Sequence, residues 1–348
     1  FPGTRLDNPY SMNVADICPV GALTTKDFRF KIRVWFLEDV PGVCTGCANG
    51  CNVYLGVANN KVQRYVARRN DQVNDTWICD AGRMSYKRIG SHDRLKRAAV
   101  RSGGSLEERP FAAALEEAAA RLRRLVDAKG AGVVAAAASA HATNEDLFAL
   151  KRFLAVLGSD EVGVSVPRGA GDDLLLKEEK AANAAGARAL GFPDARALVE
   201  RIRGGAIDAL LVLGHDLLDP AYLGGLDALR SLDSVIWIDS EQSELRHVAH
   251  VALPARHAAE KHGTLTNHAG RVQRVRPAVE PPWEARSEGE VLYALGRLLG
   301  LPGFDELWDP FRVGRELAES EPAFRGVHLE SVGEGGLPLA QAVGGGGA

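Results

Sequence analysis

Four cysteines, Cys44, Cys47, Cys51 and Cys79, stand in the spacing C-x2-C-x3-C-x27-C. A chain with thiols at such short intervals must loop there, because only a looped backbone turns residues three and four apart toward one centre. The fourth thiol closes the loop from a distance. Tetra-thiolate sets of this kind hold zinc or an iron–sulfur cluster. Zinc ribbons and fingers usually present two paired knuckles. Three clustered thiols and one remote thiol suit a cubane with separated corners. Gly46 and Gly50 let the backbone come close enough to aim N–H groups at sulfur. The spacing favours iron–sulfur, with a zinc-stabilised, non-redox interaction module as the alternative.

A disulfide framework is a poor fit. The cysteine count of five is odd, and none occurs after residue 79, whereas secreted scaffolds spread an even number through the chain. Cys18 is left over, followed by Pro19, Gly21 and Ala22.

Beyond Cys51, residues 52–57 and 62–67 read as two strands joined by Ala58-Asn59-Asn60-Lys61, a turn that exploits the tolerance of Asn for positive φ. The texture changes at Pro110. A helix is expected over 111–128, with Pro110 in its first turn, then a buried strand at 132–137. A helix over 144–157 follows, with Thr143 as N-cap. Strands at 162–166, 207–213 and 234–238 alternate with helices at 195–203 and 223–232. Such alternation implies a parallel, doubly wound α/β sheet. A second hairpin is expected over 264–275, turning at 267–270, and a helix over 287–299. The glycine-rich end, from Val343, reads as a flexible tail. The expected organisation is 1–36, 37–93 with the cysteines, 94–254 as the α/β domain, 255–330 with hairpin and helix, and a tail over 331–348.

With 46% hydrophobic residues, the 348-residue chain can bury a sizeable core, and its formal charge of −3 points to no anionic partner. Residues 60–101 hold eleven Lys/Arg against four Asp, a solvated face or a surface that offsets a thiolate-ligated cluster. No nucleic-acid motif or stacking platform accompanies it. No apolar run of about 18 residues suggests a membrane span, and no signal-peptide pattern opens the chain. A cytoplasmic protein, or a peripheral subunit on a membrane assembly, is expected. His247, His250, His257, His262 and His268 cluster in sequence, but without metal-binding spacing they read as structural. No nucleophile elbow, P-loop or dinucleotide fingerprint occurs.

The cysteine spacing followed by Asp80-Ala-Gly-Arg83 resembles the iron–sulfur module at the head of molybdopterin oxidoreductases. That module also occurs in the large iron–sulfur subunit of respiratory NADH:quinone oxidoreductase, complex I. Residues 6–35, from Leu6-Asp-Asn-Pro through Ile17-Cys18-Pro19 to Trp35, resemble the segment that joins the ferredoxin-like part of that subunit to its cluster module. Ala259-Glu-Lys-His-Gly-Thr-Leu-Thr-Asn-His-Ala-Gly-Arg-Val-Gln273 is shared more loosely, formate dehydrogenases having a similar stretch. The resemblance covers most of residues 1–300, strongly to residue 95. It implies a 4Fe-4S cluster on Cys44, Cys47, Cys51 and Cys79, off the main electron relay. It also makes Cys18 the last ligand of a second tetranuclear cluster whose other ligands lie upstream, so a C-terminal part of a longer subunit is expected. The implied partners are the other peripheral-arm subunits, including the flavin and NADH-binding one, on the cytoplasmic side of the inner membrane. The chain would pass electrons without performing hydride transfer. Catalytic molybdopterin members carry a lysine or arginine two residues after the fourth cysteine, where this chain has Ala81. Gly214-His-Asp216 follows a strand where such members cradle a dinucleotide. No later cysteine is available for molybdenum, so no molybdopterin is expected. A fragment of a molybdopterin enzyme such as a formate dehydrogenase is the catalytic alternative.

Overall fold

The cysteine loop rests on a small antiparallel sheet. In the computed structural model, which describes Gly3 and residues 7–340, a single helical turn, α1 (Asn13–Asp16), leads toward β1 (Glu38–Val43), β2 (Asn52–Ala58) and β3 (Lys61–Ala67). The three strands pair in that order. The expected hairpin turns as its sequence requires: Asn59 and Asn60 take φ of 52° and 54°, which suits a tight two-residue turn. β1 extends the expected hairpin to a sheet. Its Pro41 and Gly42 mask it in the sequence, yet both are tolerated on an edge strand. A Cβ on Gly42 would lie 2.4 Å from Leu55 Cδ1, so any larger residue there would have to move the Leu55 side chain. After Cys79 comes a short helix, α2 (Asp80–Met84).

The larger body comprises β4 (Ala99–Ser102), β5 (Ser105–Glu108), α3 (Phe111–Lys129), β6 (Val134–Ser139), α4 (Asn144–Leu157), β7 (Val162–Ser165), α5 (Ala184–Ala189), α6 (Ala195–Arg203), β8 (Ala209–Leu213), β9 (Ser234–Asp239) and β10 (Val251–Pro254). Its sheet runs β5-β4-β10-β9-β8-β6-β7. From β10 to β7 the neighbours are parallel, and β4–β5 form an antiparallel edge. Alternate strand residues face opposite sides. Val134, Ala136, Leu211, Leu213, Ile236 and Ile238 meet α3 and α4, while Ala135, Leu210, Val212, Val235 and Trp237 meet α6. Both faces are covered, which explains why these strands read as unbroken apolar runs. Each fully buried Leu, Val or Ile contributes about 1.5–3 kcal/mol. α4 starts as expected: the Thr143 hydroxyl accepts from Asp146 N–H at 3.2 Å.

The helix expected over 223–232 does not form. Only a short 3-10 turn, Asp227–Leu229, occurs there. Gly224 sits at φ 65°, which breaks the run, and Leu223, Leu226 and Ala228 pack on the core from a loop. Their helical spacing reflects packing alone.

The chain then makes the expected hairpin, β11 (Gly263–Thr266) and β12 (Arg271–Val275), followed by α7 (Glu288–Leu299), α8 (Pro310–Ser320) and β13 (Leu337–Pro338). α8 was not expected, although its start signal is legible: Asp309 accepts from Phe311 N–H at 2.9 Å, with Pro310 first in the helix. Residues 331–340, expected to open a flexible tail, instead run beside β12: Leu337 pairs with Val272, and Val332 is buried. The glycine-rich stretch Val343–Ala348 lies outside the described residues.

Candidate iron–sulfur centre

The ends of β1 and β2 hold the first thiols. Cys44 follows β1, Cys51 precedes β2, and Cys44 N–H donates to Cys51 O at 2.8 Å, which closes the loop. Gly50, at φ 60°, turns the chain back toward β2. Cys79 arrives from the far side at the start of α2, its sulfur accepting from Gly82 N–H at 3.2 Å. Gly82 lies directly against the thiols: a Cβ there would stand 3.0 Å from Cys44 Sγ and 3.2 Å from Cys79 Sγ. All four cysteines are buried. Each of Cys44, Cys47 and Cys79 is near enough to Cys51 to act on its charge.

Burial pushes the Cys44 thiol up to about 12, helped by the Cys79 and Cys47 sulfurs and opposed by the Gly46 N–H and the Ser85 hydroxyl. Burial likewise raises Cys51, against a 3.1 Å hydrogen bond from the Asn49 amide, and raises Cys79. Buried thiols of this kind give up their protons when a cationic centre is bound. Among the described residues, no three Cys, His, Asp or Glu side chains converge closely enough to hold one metal ion.

Three remote segments seal this centre. The α1 segment grips both sides of Cys79. Ser11 Oγ and Met12 N–H donate to Asp80 at 2.6 and 2.9 Å, Arg83 donates to Asp16 at 2.5 and 2.9 Å, and Asn13 exchanges hydrogen bonds with Ile78. A loop from residue 172 to 179 covers Cys47, whose Sγ is 3.9 Å from Leu175 O. Tyr10 latches that loop, donating to Asp172 at 2.6 Å and accepting from Leu175 and Leu176 N–H. The β11–β12 hairpin closes the third side.

Cys18 occupies a different setting, half-buried on a loop. The backbone N–H groups of Leu23, Ala22, Val20 and Gly21 turn toward its sulfur and lower its pKa. Val20 is 81% exposed, Phe30 92% and Trp35 74%.

Where the parallel strands end, a crevice separates the cysteine module from the sheet. It is lined by Thr45 and Arg88 on one side and by Ser139, His141, His215, Asp216 and Asp239 on the other, and its volume is about 70 Å³. Charged side chains fill it. His215 Nδ1 lies 2.7 Å from Asp239, and that bond raises His215 to about 9 against burial. Arg88 binds Glu241 at 2.8 and 3.1 Å. Deeper, Lys261 bridges Asp146, at 2.8 Å, and Glu288. Ala81 is exposed, and Arg88 is the base that lines the crevice from the cysteine module. No motif in the sequence singles out Arg88 or His141; only their arrival at the carboxyl ends of the strands marks them.

Two of the five clustered histidines take part in the fold through ring hydrogen bonds. His257 caps a turn, Ala259 N–H donating to its Nδ1 at 3.3 Å, and His250 accepts from Val235 N–H at 3.0 Å. His262 lies against Phe311, His247 is 3.4 Å from Glu244, and His268 N–H donates to Ala48 O at 2.7 Å.

Residues 37–91 match the molybdopterin oxidoreductase Fe4S4 domain, and residues 177–298 match molybdopterin oxidoreductase. The fold agrees with acetylene hydratase from Pelobacter acetylenicus at a TM-score of 0.65 and 11% identity, over 86% of this chain and 74% of that one. The chain belongs to the molybdopterin oxidoreductase family. Within it, the chain is related to the large iron–sulfur subunit of NADH-quinone oxidoreductase, the G subunit of the bacterial enzyme. It is 33% identical to the G subunit of Rickettsia conorii over 160 residues, 46% of this chain and 23% of that protein. It is 39% identical to NADH-quinone oxidoreductase subunit 3 of Thermus thermophilus over 134 residues, 37% of this chain and 16% of that protein. The chain thus spans about a fifth of the length of these relatives.

Proposed function

We propose that this chain is an electron-transfer part of NADH:quinone oxidoreductase and that Cys44, Cys47, Cys51 and Cys79 hold one 4Fe-4S cluster. The carrying observation is the set of four buried thiols, two of them accepting hydrogen bonds, inside the stretch that matches the Fe4S4 domain. The cluster, when bound, stores one electron; the chain's own part is to ligate it and exclude water. The relationship to the Rickettsia G subunit supports the assignment to that enzyme's peripheral arm, on the cytoplasmic side of the inner membrane. Among the described residues no helix is long and apolar enough to cross a membrane. Cys18, toward which backbone N–H groups turn, serves as the single ligand that these residues give to a second tetranuclear cluster. The cysteine module over 37–93, the α/β domain over 94–254 and the hairpin–helix part over 255–330 act as one electron-carrying unit beside the flavin-bearing subunit.

The crevice supports a pterin-free reading. Pockets for drug-sized ligands run to roughly 300–1,000 Å³, and the crevice offers about 70 Å³, occupied by ion pairs that a pterin dinucleotide would have to displace. Anaerobic reconstitution with iron and sulfide tests the proposal. About four irons and four sulfides per chain, with an EPR signal on reduction, are expected. One zinc per chain and no colour would refute it. Pterin released on denaturation would make the chain part of a molybdopterin enzyme instead.

A further inference from the structure

The carbonyls of Ala48, Asn49 and Gly50 each receive a hydrogen bond from the β11–β12 hairpin. His268 N–H donates to Ala48 O at 2.7 Å, Asn267 Nδ2 to Asn49 O at 3.2 Å, and Gln273 Nε2 to Gly50 O at 2.9 Å. The hairpin therefore fixes the direction in which the Asn49 side chain leaves the backbone. That side chain is buried and aims Nδ2 at Cys51 Sγ, 3.1 Å away. Asn267 is itself held: its Oδ1 accepts from Ala269 and Arg271 N–H at 3.0 and 2.9 Å.

We infer that Asn49 sets the reduction potential of the cluster and that Asn267 is a positioning residue acting through it. The inference rests on the ligand assignment proposed above. On reduction the cluster gains one electron from an external reductant, such as dithionite. No covalent bond forms or breaks, and Asn49 keeps its protons. The added charge spreads onto sulfur, and a buried N–H aimed at one sulfur stabilises the reduced state more than the oxidised one. Without the donor the reduction constant falls about tenfold, ~59 mV for one electron.

The test is an EPR-monitored dithionite titration of the anaerobically reconstituted chain. Asn49→Leu is expected to lower the potential by about that amount, and Asn49→Ala serves if the leucine variant does not fold. Asn267→Asp keeps the acceptor that the turn needs and loses the donor. It is expected to lower the potential further in the native background than in the Asn49→Leu background, because in the latter only its charge acts. The difference is the coupling between the two residues. A four-iron cluster whose potential is unmoved or raised in both Asn49 variants overturns the role of Asn49 and leaves the ligand assignment standing. Equal shifts from Asn267→Asp in both backgrounds overturn the positioning role. A native chain that takes up no four-iron cluster overturns the ligand assignment, and the inference with it.

Discussion

Gly82 offers a test of the centre that separates cluster binding from folding. Its Cβ, if present, would stand 3.0 Å from Cys44 Sγ and 3.2 Å from Cys79 Sγ, against roughly 3.5–4.0 Å for comfortable non-bonded contact. Gly82 is not among the positive-φ glycines, so Gly82→Ala strains no backbone angle. In the metal-free chain both thiols rotate away, and the helix propensity of alanine over glycine, about 1 kcal/mol, offsets what strain remains. Once iron holds the sulfurs, they cannot move, and overpacking costs about 1–3 kcal/mol. Cluster affinity should therefore fall roughly five- to hundredfold, while the urea midpoint of the metal-free chain changes little. The assay is iron and sulfide bound per chain at limiting iron, beside urea denaturation of the metal-free protein. Full cluster uptake with an unchanged EPR spectrum would refute the packing argument. So would an equal destabilisation of the metal-free chain.

Lys261→Met removes the cation between Asp146 and Glu288. Burial works to raise Asp146, but the Lys261 charge and the hydrogen bonds from Lys261, Thr143 and Gly289 N–H hold it low; burial raises Glu288 to about 7. The depressed Asp146 contributes stability above its unfolded value that is lost as pH falls through the folded one. In the variant the orphaned carboxylates rise instead, so the loss should reach about 3–5 kcal/mol at pH 8 and shrink at pH 5; equal losses in urea denaturation at both would contradict this. His215, raised to about 9 mainly by its bond to Asp239, contributes stability present below its unfolded value of about 6.5 and lost as pH rises through about 9. The Tm of His215→Asn should lie below that of the native chain at pH 6, with the two curves converging above pH 9. Tyr10→Phe unlatches the loop over Cys47, and the reconstituted cluster should bleach several-fold faster in air; an unchanged rate would show that the loop does not depend on the latch.

The sheet order, β5-β4-β10-β9-β8-β6-β7, was only partly legible. Strong apolar runs such as Leu210–Leu213 declare themselves, because parallel strands are buried on both faces. β10 does not: Val251-Ala-Leu-Pro254 is short and lies among histidines. β4 and β5 carry charged residues on an edge, which weakens their pattern. The region 223–232 misled in the opposite direction, since leucines packing from a loop reproduced helical spacing around a glycine that prevents a helix.

The sequence by itself determined where the thiols gather. Three thiols at short intervals, with glycines between them, require a looped backbone, because covalent spacing limits where those sulfurs can go. Turn and cap signals such as Asn59-Asn60 and Thr143 are equally local, and they form where they are written. Tertiary structure alone decided what surrounds the thiols. Leu175, Asn267 and Gln273 reach the cysteine loop from distant parts of the chain, Tyr10 latches the segment that carries Leu175, and Arg88 and Glu241 meet across the crevice. Those encounters depend on how the sheet, hairpin and helices stack to bury apolar surface, a non-directional force summed over the whole chain. No short stretch of sequence encodes it.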